Sequence, residues 1–364
     1  MQKPESRPTI YLDANASERL RPAARAAVLA ALDLGGNPAS VHGGGRRARA
    51  MLEDARDAVA ARFGGAPGDL VFTSGGTEAD ALAVHALGAG RQVIIGATEH
   101  DAIRAAAPAA TILRVDRNGL ADLAQLADLL AEGPALVCLM LANNETGVIH
   151  PIAEAAAICR RFGARLHVDA VQAAGRMTVD LAALGADSLA LSAHKMGGPM
   201  GVGALLTASG VEIAALIKGG GQERGRRGGT PALPAIAGFA ACVDVADVGA
   251  LRDRFAAAAI ACGAIEIGSS VPRLGNTACL ALPGVKAETQ VIALDLAGIQ
   301  VSAGAACSSG KVARSHVLDA MGLGALAGEA IRASLPWNIT AAEIDLAIAA
   351  YRAMAARLRP GLAA

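Results

Sequence analysis

The run RLHVDA, residues 165–170, places apolar side chains at Leu166, Val168 and Ala170 and follows directly on a helical pattern at 152–162. A short apolar run bounded in this way reads as a buried strand. The same alternation recurs along the first two thirds of the chain. QVIIGA (92–97), ALVCLML (135–141), SLALSA (188–193) and GVGALLT (201–207) are strand-like, and helical patterns cover 22–33, 45–63 and 77–89. Short buried strands between helices predict an α/β fold whose sheet is mostly parallel and covered on both faces.

After about residue 244 the pattern changes. A helix near 247–262 precedes NTACLAL and IQVSAG, and the last helix is expected at 341–358. This predicts a second, smaller α+β unit joined by the N-terminal residues. The expected boundaries are 16–243 for the large domain, and 1–15 with 244–364 for the small one.

Composition narrows the functional classes. Hydrophobic residues make up 53% of the 364, aromatics only 2%, and acidic and basic residues balance at 33 each. That suits a globular chain with a core of small and branched aliphatics, and it leaves no charge footprint for nucleic acid or anionic lipid. The charge-free run from Met196 to Val211 is broken by glycine and proline, so no membrane span is expected. The opening MQKPESRPTIYLD has no apolar signal core, which makes the cytoplasm the expected location. Six cysteines (138, 159, 242, 262, 279 and 307) form neither a C-x-x-C pair nor a zinc-spaced cluster, so no metal set is expected.

Three stretches bear on chemistry. In FTSGGTEAD (72–80) a strand end runs through glycines into a helix at Thr77; this is either an anion site on helix amides or an ordinary N-cap with Asp80. In HVDAVQ (167–172) Asp169 ends a strand, where it would pair with a structural arginine or with a protonated pyridine nitrogen. In LSAHKMGGPMGVGALL (191–206) Lys195 precedes a glycine turn. It is one of five lysines among 33 basic residues, and it is either a surface charge or an amine for Schiff-base chemistry. Together the three supply a phosphate seat, a partner for a ring nitrogen and an amine for an aldehyde, the parts of a pyridoxal phosphate site.

VSAGAACSSGKV (301–312) resembles a nucleotide loop but fails by count. Five residues separate Gly304 from Gly310, where a phosphate loop needs four, and Val312 stands where the metal-binding hydroxyl would be. Cys307 is left as the one cysteine in a loop-like stretch of small residues.

With these stretches, YLDANAS (11–17), GNPASVH (36–42), ATEHDAI (97–103), NNETGV (143–148), GGGQERGRRGGT (219–230), GAACSSG (304–310) and AIRASL (330–335) stand in the order seen in cysteine desulfurases. The chain resembles the NifS/IscS type, in the aminotransferase class V branch of pyridoxal phosphate enzymes, over roughly residues 10 to 350. The resemblance implies a PLP-dependent transferase of fold type I, with a seven-stranded-type sheet and a smaller α+β domain. It implies conversion of L-cysteine to L-alanine, with sulfur passing to an enzyme persulfide and on to an acceptor or iron–sulfur scaffold protein.

By the same resemblance Lys195 would bond the cofactor aldehyde, Asp169 would pair with the ring nitrogen and Gln172 with the phenolic oxygen. His100 would stack on the ring and assist proton transfer, and Asn144 would lie beside cofactor and substrate. Gly76, Thr77, Ser192 and His194 would hold the phosphate, with Thr230 reaching in from the partner of a homodimer. Arg332 would grip the substrate carboxylate. Cys307 would be the nucleophile, and would at most touch a nascent iron–sulfur cluster in passing. The arginines 224, 226 and 227 read either as a solvated basic strip or as part of a subunit interface. Ala81, Ser17 and Pro336 depart from the family's usual asparagine, threonine and glycine. A selenocysteine lyase, another class V enzyme, or a weakly active sulfur-relay protein are the alternative readings.

Overall fold

The computed structural model describes residues 9–242, 245–304 and 314–359. Cys307 lies outside them. Numbered in chain order, the strands are β1 (Ile10–Tyr11), β2 (Leu70–Thr73), β3 (Gln92–Gly96), β4 (Thr111–Leu113), β5 (Ala135–Cys138), β6 (Arg165–Asp169), β7 (Ser188–Ser192) and β8 (Gly203–Thr207). They continue with β9 (Ile265–Ile267), β10 (Thr277–Ala281), β11 (Ile299–Gln300), β12 (Ser302–Ala303) and β13 (Ala330–Ser334).

Seven of these form one sheet in the order β2-β8-β7-β6-β5-β3-β4. The neighbours from β7 to β4 run parallel, and β8 lies antiparallel to both β7 and β2. The direction of β8 follows from its connection. Residues 193–202 hold one short 3-10 turn and glycine-bearing bends, with no crossover helix to carry the chain back across the sheet. The mostly parallel α/β sheet expected from the runs at 92–97, 135–141, 165–170, 188–193 and 201–207 is present. β4 was not foreseen: three residues at a sheet edge leave too little pattern to read.

Strand side chains alternate between two apolar layers. Leu189 and Leu191 join the larger cluster with Val137, Leu166 and Val168, while Ala190 joins the other with Leu136, Cys138 and Leu205. Helices Gly43–Arg62 and Ile152–Arg161 pack on the first layer, and Gly76–Leu87 on the second.

A four-stranded antiparallel sheet, β12-β13-β10-β9, lies in the C-terminal third. A separate apolar cluster gathers Phe255, Leu280, Ile331, Ile344 and Tyr351 together with Ile10 and Leu12. β1 pairs in parallel with β11, and Asp13 bridges to Ser334, so the N-terminal residues are bonded into this part of the chain. Among the described residues no helix is long and apolar enough to cross a membrane.

Candidate active site

The parallel strands β3, β5, β6 and β7 point their carboxyl ends at one side of the sheet, where α/β proteins gather ligand-binding residues. A cavity of about 140 Å³ opens there. It is lined by Gly76 and Thr77 at a helix start, Asp169 and Gln172 beyond β6, and Ser192, His194 and Lys195 at and beyond β7. His100 and Asn144 line it too, as do Asp80, Met140, Ala142 and Val171.

The helix start resolves one alternative. Its N-cap is Gly75, which offers no side-chain cap, so the capping box between Thr77 and Asp80 does not form. Gly76 is required by space: a Cβ there would stand 2.7 Å from Val171 Cγ2. Amides at an uncapped helix start beside a cavity suit an anion. Asp80 turns instead to the sheet, where its Oδ1 lies 3.1 Å from His167 Nε2, and His167 Nδ1 lies 2.8 Å from Ser188 Oγ.

Asp169 is buried, and its Oδ1 accepts the Val171 N–H at 2.9 Å. Among the described residues no arginine bonds to it. Burial pushes its carboxyl above the usual range, while His100 and Lys195 pull it back toward the charged form. Lys195 Nζ donates to the carbonyl oxygens of Asn15 at 2.6 Å and Ala16 at 3.0 Å. The lysine is therefore turned toward the N-terminal strand region beside the cavity and is not a solvated surface charge.

Two histidines stand in fixed tautomers or charge states. His100 Nδ1 accepts the Ala102 N–H at 3.1 Å, capping the helix Asp101–Ala106, so a neutral ring carries its proton on Nε2. His194 is driven down to about 4 by burial and by the charges of Lys195 and Arg176, so it is neutral at physiological pH. Its Nδ1 lies 3.3 Å from Ser17 Oγ, a contact that needs the hydroxyl retained at position 17. Gln172 donates its amide to Asn15 O at 3.0 Å, and its Oε1 is buried with no partner among the described residues.

Arg332 does not line the cavity. It is buried in β13, where Nη2 holds Asp13 Oδ1 at 2.7 Å and Nη1 donates to Asn144 O at 3.0 Å, one bond from a lining residue. Thr230 stands apart in a second cavity of about 460 Å³ with Asn37, Arg49 and Arg56. The basic strip is not simply solvated. Arg227 clasps Glu78 at 2.8 and 3.1 Å, Arg226 donates to Leu70 O at 2.9 Å, and Arg224 stays exposed.

Three further residues shape the site: Asn15, Arg176 and Asp80, the last expected only as a helix cap. Asn15 ties three regions, donating to Asn144 O and Thr277 Oγ1 and accepting from Lys195 and Gln172 through its carbonyl. Arg176 is half-buried, bonds the carbonyls of Lys195 and Ala14 at 2.8 and 3.1 Å, and is lowered to about 10 by desolvation. Asn15 and Asp80 lay inside recognised stretches, whereas no motif marked Arg176.

The aminotransferase class-V family model matches residues 10–346. A protein named cysteine desulfurase from Cereibacter sphaeroides is 43% identical, covering 92% of this chain and 93% of its own length. An IscS-like cysteine desulfurase from Mycobacterium tuberculosis is 35% identical over 96% and 97%. Among solved structures, a NifS-like protein from Rickettsia africae superposes with a TM-score of 0.89 at 33% identity, covering 95% of this chain and 99% of that one.

Proposed function

Since this chain belongs to the aminotransferase class-V family, we propose that it is a cysteine desulfurase, using pyridoxal phosphate to convert L-cysteine to L-alanine and leaving sulfur on Cys307 as a persulfide for an acceptor or iron–sulfur scaffold protein. The observation that carries this reading is the meeting of Lys195, Asp169 and the uncapped amides at Gly76 and Thr77 on one cavity. These residues fit the cofactor: an anion seat, a carboxylate that burial leaves in need of a cation, an amine, and an orphaned amide oxygen on Gln172. Gly76, Thr77, Ser192 and His194 would hold the phosphate, Asp169 the ring nitrogen, Gln172 the phenolic oxygen and Lys195 the aldehyde.

When bound, pyridoxal phosphate supplies a sink for the electron pair left on the substrate α-carbon. The chain's own residues do the rest. Arg332 orients the substrate through its carboxylate, with Asn144 beside it. Lys195 Nζ takes the α-proton and later returns one, and Asp169 would keep the ring nitrogen protonated when the cofactor is bound. His100, whose Nδ1 accepts the Ala102 N–H and leaves its proton on Nε2, would lie beside the ring and assist proton transfer. The Cys307 thiolate bonds the substrate sulfur as the carbon–sulfur bond breaks toward carbon, and that carbon is protonated to give alanine.

We place the division of the chain at 16–243, and 1–15 with 244–364; the separate apolar cluster that includes Ile10 and Leu12 supports it. The active molecule is a homodimer in this reading, with Thr230 serving the second copy; that Thr230 is not among the residues lining its own chain's cavity supports this.

Purified protein carrying the cofactor is expected to be yellow and to release alanine and, with a reductant, sulfide from L-cysteine. Cys307→Ala should keep the colour and lose sulfide release. Undiminished sulfide from that variant would refute the nucleophile assignment, and full turnover by Lys195→Ala would refute the cofactor site.

A further inference from the structure

The buried turn 143–148 carries a carboxyl that the chemistry above does not use. Asn143 Oδ1 accepts the backbone N–H groups of Glu145 and Thr146, both at 2.9 Å, and the turn closes at Gly147 with φ +76°. A Cβ on Gly147 would stand 2.9 Å from Thr277 Cβ, so the turn is pressed against β10. Glu145 is thus aimed from a fixed base, and it is 2% exposed.

Its Oε2 accepts the Ser315 hydroxyl at 2.5 Å. Ser315 Oγ accepts the Leu318 N–H at 3.1 Å, capping the short helix His316–Ala320. On the other side stands Gly304, where a Cβ would fall 2.5 Å from Glu145 Oε2 and 3.3 Å from Ser315 Cβ. The φ of Gly304 is not in the left-handed region, so it is the carboxyl, not the backbone, that a side chain there would meet and displace. Just before it, Ser302 and Ala303 pair with Arg332 and Ile331 of β13.

Gly304 and Ser315 flank the stretch 305–313, which contains Cys307. The residues on its two sides therefore meet on one buried carboxyl, and the nearer strand is zipped to the one that carries Arg332. A carboxyl pays a desolvation cost here that an apolar side chain of similar size would avoid. Burial pushes it up, while the Ser315 hydroxyl and Arg332 pull it back. What the carboxyl contributes in return is the bond to Ser315.

We propose that Glu145 is a positioning residue for sulfur transfer, holding Gly304 and Ser315 side by side and so fixing the described residues on either side of the stretch that contains Cys307. This rests on Cys307 being the nucleophile. The reach of a chain depends on where its ends are held, and a misplacement of about 1 Å at a reacting atom costs up to about a hundredfold in rate.

The test uses the enzyme carrying its cofactor, with Glu145→Ala, Glu145→Gln and Gly304→Ala. Three quantities are read: the rate of tryptic cleavage after Lys311, alanine release at saturating L-cysteine, and cofactor absorbance. Glu145→Ala is expected to speed cleavage about tenfold and to slow alanine release about ten- to a hundredfold, with absorbance kept. Glu145→Gln, whose amide oxygen still accepts the Ser315 hydroxyl, should recover most of both. Gly304→Ala should reproduce Glu145→Ala, and the double variant should add little to either.

Wild-type cleavage and alanine release in Glu145→Ala would overturn the proposal. So would Glu145→Gln as impaired as Glu145→Ala, or loss of absorbance in step with loss of rate. Sulfide release from Cys307→Ala would remove the nucleophile itself, while the cleavage comparison would still decide whether Glu145 holds the stretch.

Discussion

Asp80, Glu99 and Asp169 are buried carboxyl groups close enough to push on one another's charge, and their surroundings separate them. Burial raises all three. Asp80 and Glu99 are raised further by Asp169, whereas Asp169 has His100 and Lys195 to draw it back. Burial disfavours three anions in one low-dielectric site, and of the three it is Asp169 that has cationic neighbours to draw it back toward the charged form. Asp169→Asn is therefore expected to lose alanine release by about a hundredfold or more, the scale of an electrostatic partner of the reacting system. Asp80→Asn should lose far less. Alanine assay and absorbance titration of the two variants side by side check this.

His150 gives a pH prediction at the same scale. It is fully buried and pushed down to about 4 by loss of solvent. Its folded value lies below the unfolded one, so the unfolded chain binds the proton more readily, and stability is lost as pH falls from about 6.5 to about 4. The contribution reaches at most about 3 kcal/mol below that window. Thermal melts of His150→Gln should show a flatter dependence on pH there than the parent protein. The sequence named His100, His194, Asp169 and Lys195 because their stretches were distinctive. His150 had no motif, and its state follows only from burial.

At the scale of elements, two segments meet behind the helix Gly76–Leu87. Its Glu78 binds Arg227, and the neighbouring Glu223 holds Arg56 through two bonds of 2.8 Å while accepting the Phe72 N–H at 2.9 Å. Glu223 and Arg224 occupy the left-handed region at φ 47° and 58°, a strain the ion pair must offset. Without Glu223, buried Arg56 would keep, among the described residues, only the half-exposed Glu53 carboxylate at 3.1 Å and the Leu70 carbonyl as hydrogen-bond partners. Glu223→Ala should therefore destabilise the protein by about 3–5 kcal/mol, read from denaturant unfolding. At the helix start, Gly76→Ala forces a methyl against Val171, for which overpacking predicts a loss of about 1–3 kcal/mol together with weaker cofactor retention. The helices at 22–33, 77–89, 152–162 and 341–358 were legible from periodicity to within two residues. The pairing of Glu223 with Arg56 was not, because a salt bridge between residues so distant in sequence has no local signature.

The whole molecule adds a prediction about the partner copy. If Thr230 serves the other chain's cavity, Thr230→Ala and Lys195→Ala damage different sites when the two are mixed. One cavity of each mixed dimer then has both residues intact, so mixing the refolded variants should restore alanine release that each lacks alone, toward about half the parent rate per mixed dimer. No recovery on mixing, with mixed dimers demonstrated by differential tagging, would place Thr230 in its own chain's site or in none. Sequence alone determined the α/β class, the strands at 135–141, 165–170 and 188–193, and which short stretches carry chemistry, because apolar periodicity and motif chemistry are written locally. Only the tertiary structure decided that β8 runs backward, that Asp80 turns to His167 and not to a cap, that Asn15 joins Lys195 to Thr277, and that Glu145 lies between Gly304 and Ser315. Each of those depends on which distant segments share a buried space, and desolvation acts on a group only once the fold has enclosed it.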